Sequence, residues 1–240
     1  MQRQFFTLTQ NRALTADVHE LRLEGDTSAI QRPGQFVNIA LDGLFLRRPI
    51  SVCDWEDGRL TLILKVVGKG TERLAALAAG EKLDLLVGLG NGYDVAACPD
   101  DAILAGGGVG VPPLYGLAKR LIAAGKHPTV ALGFNRAAEV FYEDEFRALG
   151  LPVTVATVDG SHGVKGFVTD AMPAGGYACC CGPEPMLKAV YRTTTGGQFS
   201  FEARMGCGFG ACMGCSCQTL AGPKRICKDG PVLRREEILW

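Results

Sequence analysis

The sequence predicts an antiparallel six-stranded β barrel, then an α/β domain built on a parallel sheet, then a small cysteine-rich C-terminal domain. Three observations predict this. The first hundred residues fall into short apolar-polar runs separated by Gly- and Pro-containing turns. From about Pro99, strand-like runs alternate with amphipathic helical ones. Four of the ten cysteines then crowd into CGFGACMGCSC, residues 207–217.

The barrel elements read in order. VHELRLEG, from Val18, alternates as a half-buried strand does. RPGQFVNIAL joins a Pro-Gly turn to a strand-like run. PISVCDW, the turn EDGR and LTLILKVV form a hairpin. TERLAALAAG reads as a short helix, with Thr71 as its N-cap and Gly80 as its stop. KLDLLVGL completes the six strands, and six short strands with one small helix fit a closed barrel.

In the second part DDAILAGG, PTVALGF, LPVTVATVD and GGYACCC read as strands. PPLYGLAKRLIAAG, VFYEDEFRALG and PEPMLKAVYRTT read as the intervening helices. This alternation indicates parallel strands with crossover connections. TTTGGQ, 193–198, reads as a linker. Domains are therefore expected at 1–98, 99–195 and 196–240.

Composition narrows the function. A chain of 240 residues exceeds the commonest single-domain size. Its formal net charge is zero, which argues against nucleic acid or an anionic membrane as an electrostatically held partner. MQRQFFTLTQ lacks the features of a signal peptide, and AILAGGGVGVPPLYGLA is too short and broken to span a bilayer. A cytoplasmic setting is expected. There, clustered cysteines bind metal or react more often than they form disulfides.

Cys207, Cys212, Cys215 and Cys227 have the spacing C-x4-C-x2-C-x11-C. The first three match the plant-type 2Fe-2S pattern, with the fourth ligand further along. Gly206, Gly208, Gly210 and Gly214 let the backbone wrap closely and turn N–H groups toward sulfur. A structural zinc site favours paired C-x2-C units, and only one such pair is present here. Cys217 reads as a packing or neighbouring thiol rather than a ligand. Cys53, Cys98 and most of the triple cysteine at 179–181 read as packing residues. Cys181 differs, because the chain turns there through Gly182-Pro183 at the carboxyl end of a parallel strand, where ligands bind.

LAGGGVGVPPLYG runs strand, glycine loop, helix, a layout that cradles a pyrophosphate. Gly108, Gly110 and Pro113 give G-x-G-x-x-P and depart from the Rossmann G-x-G-x-x-G. A tight strand-to-helix turn is the alternative reading of the same residues. LRRPISV offers Arg48 for a phosphate, with Ser51 on the other strand face. VVGKGTERL offers the start of a short helix at Thr71. Taken singly, a surface Arg and an ordinary helix cap are the favoured readings of these two. The three histidines at 19, 127 and 162 are scattered, and no nucleophile–base constellation is present.

Taken together, the stretches resemble the ferredoxin–NADP reductase type of flavoprotein carrying a small 2Fe-2S domain. More narrowly, they resemble the electron-transfer subunits of NAD-linked dihydroorotate dehydrogenase complexes. PGQFV, RRPISV, VGKGT, LVGLGNGYD, LAGGGVGVPPLYGLA, FYEDEF, CGPEPML, EARMGCGFGACMGCSCQ and ICKDGPVLRREEILW fall in that family's order along the whole chain. The resemblance implies that the barrel binds FAD through Arg48, Pro49, Ile50 and Ser51, through Ile63, Leu64 and Lys65, and through Gly70 and Thr71. An Arg is frequent at the position of Lys65, a departure that alters that contact. It implies NAD at Gly106, Gly107, Gly108 and Gly110 and at Cys181, Gly182 and Pro183. It assigns the cluster to Cys207, Cys212, Cys215 and Cys227. Asp159, just after the third strand of the second domain, suits a ribose hydroxyl and repels a 2′-phosphate, favouring NAD over NADP.

The implied function is electron transfer in pyrimidine biosynthesis. An FMN-containing dihydroorotate-oxidising subunit delivers electrons through the cluster and FAD to NAD, in a heterotetramer of two copies of each chain. Flavin belongs in the middle because it exchanges electrons singly and in pairs. The rival is a sibling reductase subunit of the sulfhydrogenase or ferredoxin transhydrogenase type. A non-enzymatic redox or zinc adaptor is the rival from another class.

Overall fold

The computed structural model describes residues 1–240. The alternating N-terminal runs form β1 (Gln2–Ala13), β2 (Val18–Glu24), β3 (Phe36–Ile39), β4 (Arg48–Glu56), β5 (Arg59–Lys65) and β6 (Lys82–Leu89). They close an antiparallel barrel in the order β1-β2-β5-β4-β3-β6. Phe6, Leu8, Leu21, Val37, Ile39, Leu62, Leu64 and Leu85 fill its interior, as period-two alternation requires.

The helix α1 (Lys69–Ala75) sits between β5 and β6. Thr71 is not its N-cap, as expected above, but its third residue. Gly68 caps, and the Thr71 hydroxyl reaches back to accept from the N–H groups of Val67 and Gly68 at 2.9 and 3.2 Å. The threonine satisfies the helix start from inside the first turn.

The second part builds β7 (Ile103–Gly107), α2 (Pro112–Ala123), β8 (Thr129–Phe134), α3 (Glu143–Ala148), β9 (Val153–Thr157), the short β10 (Val164–Lys165), β11 (Tyr177–Cys181) and α4 (Glu184–Thr193). Residues 193–198 are not a free linker. Gly196–Ser200 forms β12, parallel to β11, and Gly197 is required because a Cβ there would strike the Ala178 carbonyl. The last segment contributes the hairpin β13 (Ser216–Thr219) and β14 (Gly222–Arg225), and β15 (Val232–Arg234). The main sheet runs β10-β9-β8-β7-β11-β12-β15, all parallel except β15. The cysteine-rich segment is thus anchored to the sheet at both ends, by β12 and β15.

Barrel and sheet share an interface. Ile63 and Cys53 pack with Leu114, Leu117 and Ala118 of α2 in one apolar cluster. The buried Glu20 accepts from the Tyr142 hydroxyl at 2.8 Å and pairs with Arg12 and Arg22. Lys119 of α2 pairs with Asp54 at 2.6 Å. No helix is long and apolar enough to cross a membrane.

Candidate functional site

The chain order along the sheet reverses beside β7: β8 and β9 extend one way, β11 and β12 the other. Open parallel sheets bind ligands at the carboxyl ends of the strands flanking such a reversal. Those ends are Gly106–Gly107 of β7 and Cys181 of β11, with Gly106 opposite Cys181 in register. Glycine is needed on both sides. A Cβ on Gly110 would overlap the Cys181 carbonyl, and one on Gly107 would strike Met186 Sδ. Gly106 lets Val111 and Leu114 close onto the strand, and Gly108 has a φ of +50°. Pro112 opens α2, where a missing N–H costs nothing. The glycine loop and the Cys181-Gly182-Pro183 loop therefore form one crevice with a helix N-terminus at its floor. Burial raises the Cys181 thiol to about 12, so it stays neutral near pH 7.

Asp159 follows β9, two strands from β7 and so about 10 Å across the same sheet end. Its carboxylate accepts from the Ser161 N–H at 2.9 Å and the Ser161 hydroxyl at 2.6 Å, and these bonds hold its pKa below the usual value. Arg136, the cation nearest in sequence to the end of β8, is tied to Glu139 at 3.0 Å. The rim of this end therefore carries two carboxylates, and its arginine is already paired.

On the barrel, Pro49 pairs with Asn38 and Ser51 with Phe36, which puts Pro49 and Ser51 on the outer face. Ile50 packs on the barrel core. Strand alternation holds through Pro49 without a bend. Arg48 lies against α1, and a Cβ on Gly70 would collide with its guanidinium. Arg48, Gly70 and Thr71 are thus gathered at one place. Of the β5 residues, Ile63 and Lys65 face outward, with Lys65 paired to Asp17 at 3.2 Å. Leu64 points into the barrel, so only its backbone can serve a ligand.

A cleft of about 770 Å³ joins the modules. Arg48 and Pro49 line it from the barrel, Gly182 and Glu184 from the sheet, and Glu202, Arg204 and Met205 from the segment leading to the cysteines. Sequence reasoning did not single out Glu202–Met205 as a lining. Their only signal was the position of EARM directly before the first ligand-spaced cysteine.

In the cysteine loop, backbone N–H groups turn toward sulfur. Cys207 Sγ accepts from the N–H groups of Ala211 and Cys212 at 3.2 and 3.4 Å, and Cys215 Sγ from Cys227 N–H at 3.4 Å. Burial opposes ionisation of Cys207, yet the N–H groups of Cys212, Phe209 and Ala211 outweigh it and lower the thiol to about 6. Cβ atoms on Gly206 and Gly214 would lie 3.3 and 3.5 Å from Cys212 Sγ, so the backbone hugs that sulfur. Arg225, fixed to Asp229 at 2.9 Å, donates to the Gly210 carbonyl and links the loop to the segment after Cys227. No group of three or more His, Cys, Asp or Glu converges as it would on a single ion. A two-iron cluster asks for less, two thiolates per iron. Cys207 interacts with Cys212, and Cys227 with Cys215. Cys217 lies on β13, and burial, with the neighbouring Cys215, raises its thiol.

A family model for the iron-sulfur cluster binding domain of dihydroorotate dehydrogenase B matches residues 202–239. The electron transfer subunit of dihydroorotate dehydrogenase B (NAD(+)) from Geobacillus kaustophilus (strain HTA426) is 42% identical over 256 residues, covering 99% of this chain and 98% of that one. The corresponding subunit of Bacillus mycoides (strain KBAB4) is 41% identical over 100% of this chain and 99% of its own. Among solved structures, a chain of the NADH-dependent reduced ferredoxin-NADP oxidoreductase superposes with a TM-score of 0.86 at 30% identity, over 98% of this chain and 90% of that one. A ferredoxin NADP+ reductase from Neisseria gonorrhoeae, with bound FAD and NADP, superposes at 0.67 over 80% of this chain and 90% of its own, and its 14% identity marks a shared fold alone. Identity above 40% over essentially the whole chain places it in the family of dihydroorotate dehydrogenase B (NAD(+)) electron transfer subunits.

Proposed function

We propose that this chain carries electrons between a dihydroorotate-oxidising, FMN-containing subunit and NAD, using a 2Fe-2S cluster and FAD, in a heterotetramer of two copies of each subunit. One observation carries the reading: the barrel motif, the switch-point loop and the approach to the cysteines meet at a single cleft. When bound, FAD supplies the exchange between hydride chemistry and single-electron transfer, and the cluster supplies the single-electron relay.

The chain's own residues do the placing. Arg48, with Gly70 and Thr71, holds the flavin pyrophosphate, as a guanidinium fork suits paired phosphate oxygens. Pro49, Ile50 and Ser51 border the flavin from β4, and Ile63, Leu64 and Lys65 from β5. Gly106, Gly107, Gly108 and Gly110 cradle the nicotinamide nucleotide's phosphates, and Cys181, Gly182 and Pro183 flank its reactive ring. Cys207, Cys212, Cys215 and Cys227 are the iron ligands. No acid, base or nucleophile is required of the protein.

The purified chain is expected to be coloured, and anaerobic NADH is expected to bleach its flavin band. A colourless protein without iron would defeat this reading. Asp159 is assigned the ribose hydroxyls of NAD. Asp159→Ser is expected to raise the NADPH-to-NADH ratio of kcat/KM about fivefold to tenfold, the worth of relieving one like-charge contact near the surface. An unchanged ratio in steady-state assays would remove Asp159 from selectivity.

The full-length match to a ferredoxin-linked oxidoreductase chain favours a second reading, a reductase subunit serving a different partner. The two readings share every cofactor and differ in what docks beside the cluster.

A further inference from the structure

The outer face of β3 carries one polar side chain among apolar ones. Val37 and Ile39 point into the barrel. Phe36 faces the other way and packs in one cluster with Cys215, Ile226 and Cys227. Asn38 shares this outer face by strand alternation, beside its cross-strand neighbours Pro49 and Leu86. It is 2% exposed.

Its amide Nδ2 donates to the carbonyl of Cys207 at 3.1 Å, across 169 positions of sequence. Gly208, the next residue, has a φ of +78°, and a Cβ there would overlap that amide. The main chain of Asn38 is itself braced. Its carbonyl accepts from Arg47 at 3.2 Å, and Arg47 is clamped by Asp84 at 2.9 and 3.1 Å. Pro49 opposite and Arg48 beside it line the cleft assigned to the flavin.

Stability does not account for an amide here. Its Oδ1 is buried without a partner, a cost that a leucine packed on Phe36 and Leu86 would avoid. What the amide does is tie the first cysteine's backbone to β3, the strand that pairs directly with the flavin motif on β4.

We propose that Asn38 is a positioning residue that sets where the Cys207 loop, and with it the cluster, sits relative to the flavin. The inference rests on the cofactor assignment above. The test uses the holoprotein with Asn38→Leu and Asn38→Ala, both of which remove the Nδ2 donor. FAD content, iron content and NADH reduction of the flavin are measured first, and these are expected to match the wild type. Electron transfer from flavin to cluster, followed by stopped flow, is then expected to slow about tenfold, as displacement of reacting groups by a fraction of an ångström does. The EPR spectrum of the reduced cluster is expected to change shape. Wild-type transfer rates and spectra in both variants would overturn the proposal. Loss of FAD or iron from both variants would also overturn it, by making Asn38 an assembly residue. Absence of iron or flavin from the wild type would instead sink the cofactor assignment.

Discussion

Cys227→Ala is expected to yield a protein that still binds FAD and is still reduced by NADH, but holds almost no iron. Cys227 is 2% exposed and interacts with Cys215, so its removal leaves one iron a single protein ligand short. Metal sites of this kind hold through the full ligand set, and the binding free energy is shared with folding of the loop. Partner-linked reduction of NAD should fall at least about a hundredfold, because nothing else in the chain accepts electrons singly at that end. Cys217→Ser is the control, and it should keep both iron and turnover. Iron analysis and EPR decide the matter. Retention of the cluster in Cys227→Ala, or its loss in Cys217→Ser, would mean that the wrong fourth thiol was chosen.

Gly110→Ala is expected to lower kcat/KM for NADH about a hundredfold while FAD and iron stay bound. The new Cβ would land on the Cys181 carbonyl, which is main chain and has no rotamer to escape into. The two loops of the crevice must then part, and a misplacement near 1 Å costs on the order of a hundredfold. Overpacking should add a stability loss of about 1–3 kcal/mol, visible as a lower Tm. Gly108→Ala separates the two effects. Its φ is +50°, yet nothing lies within 4 Å of the added atom, so only backbone strain of about 1 kcal/mol is expected there. Equal kinetics for the two variants would contradict a crevice closed by Gly110.

Much of this architecture is written in local pattern. Barrel strands such as β6 show period-two alternation because one face is buried against the core. The proposed cluster ligands come from spacing, because a loop wrapping two irons leaves little choice of where thiolates stand. Other features depend on contacts far along the chain. Gly196 and Gly197 look like a linker, but Gly197 is glycine because β12 approaches the Ala178 carbonyl. Thr71 looks like a helix cap because its hydroxyl, from the third position, does satisfy N–H groups at the helix start. Asn38 looks like any outward polar residue of a strand until the Cys207 loop, 169 residues away, is laid over it. The lining at Glu202–Met205 likewise emerges only when sheet and barrel are brought together.

The central claim is that this chain relays electrons for another subunit's oxidation of dihydroorotate. The most direct test mixes the purified chain with the FMN-containing dihydroorotate-oxidising subunit and follows NADH formation from dihydroorotate and NAD. The account predicts no NADH from this chain alone, and steady NADH formation once both subunits are present. Turnover of dihydroorotate by this chain by itself, or an assembled complex that oxidises dihydroorotate without reducing NAD, would contradict it.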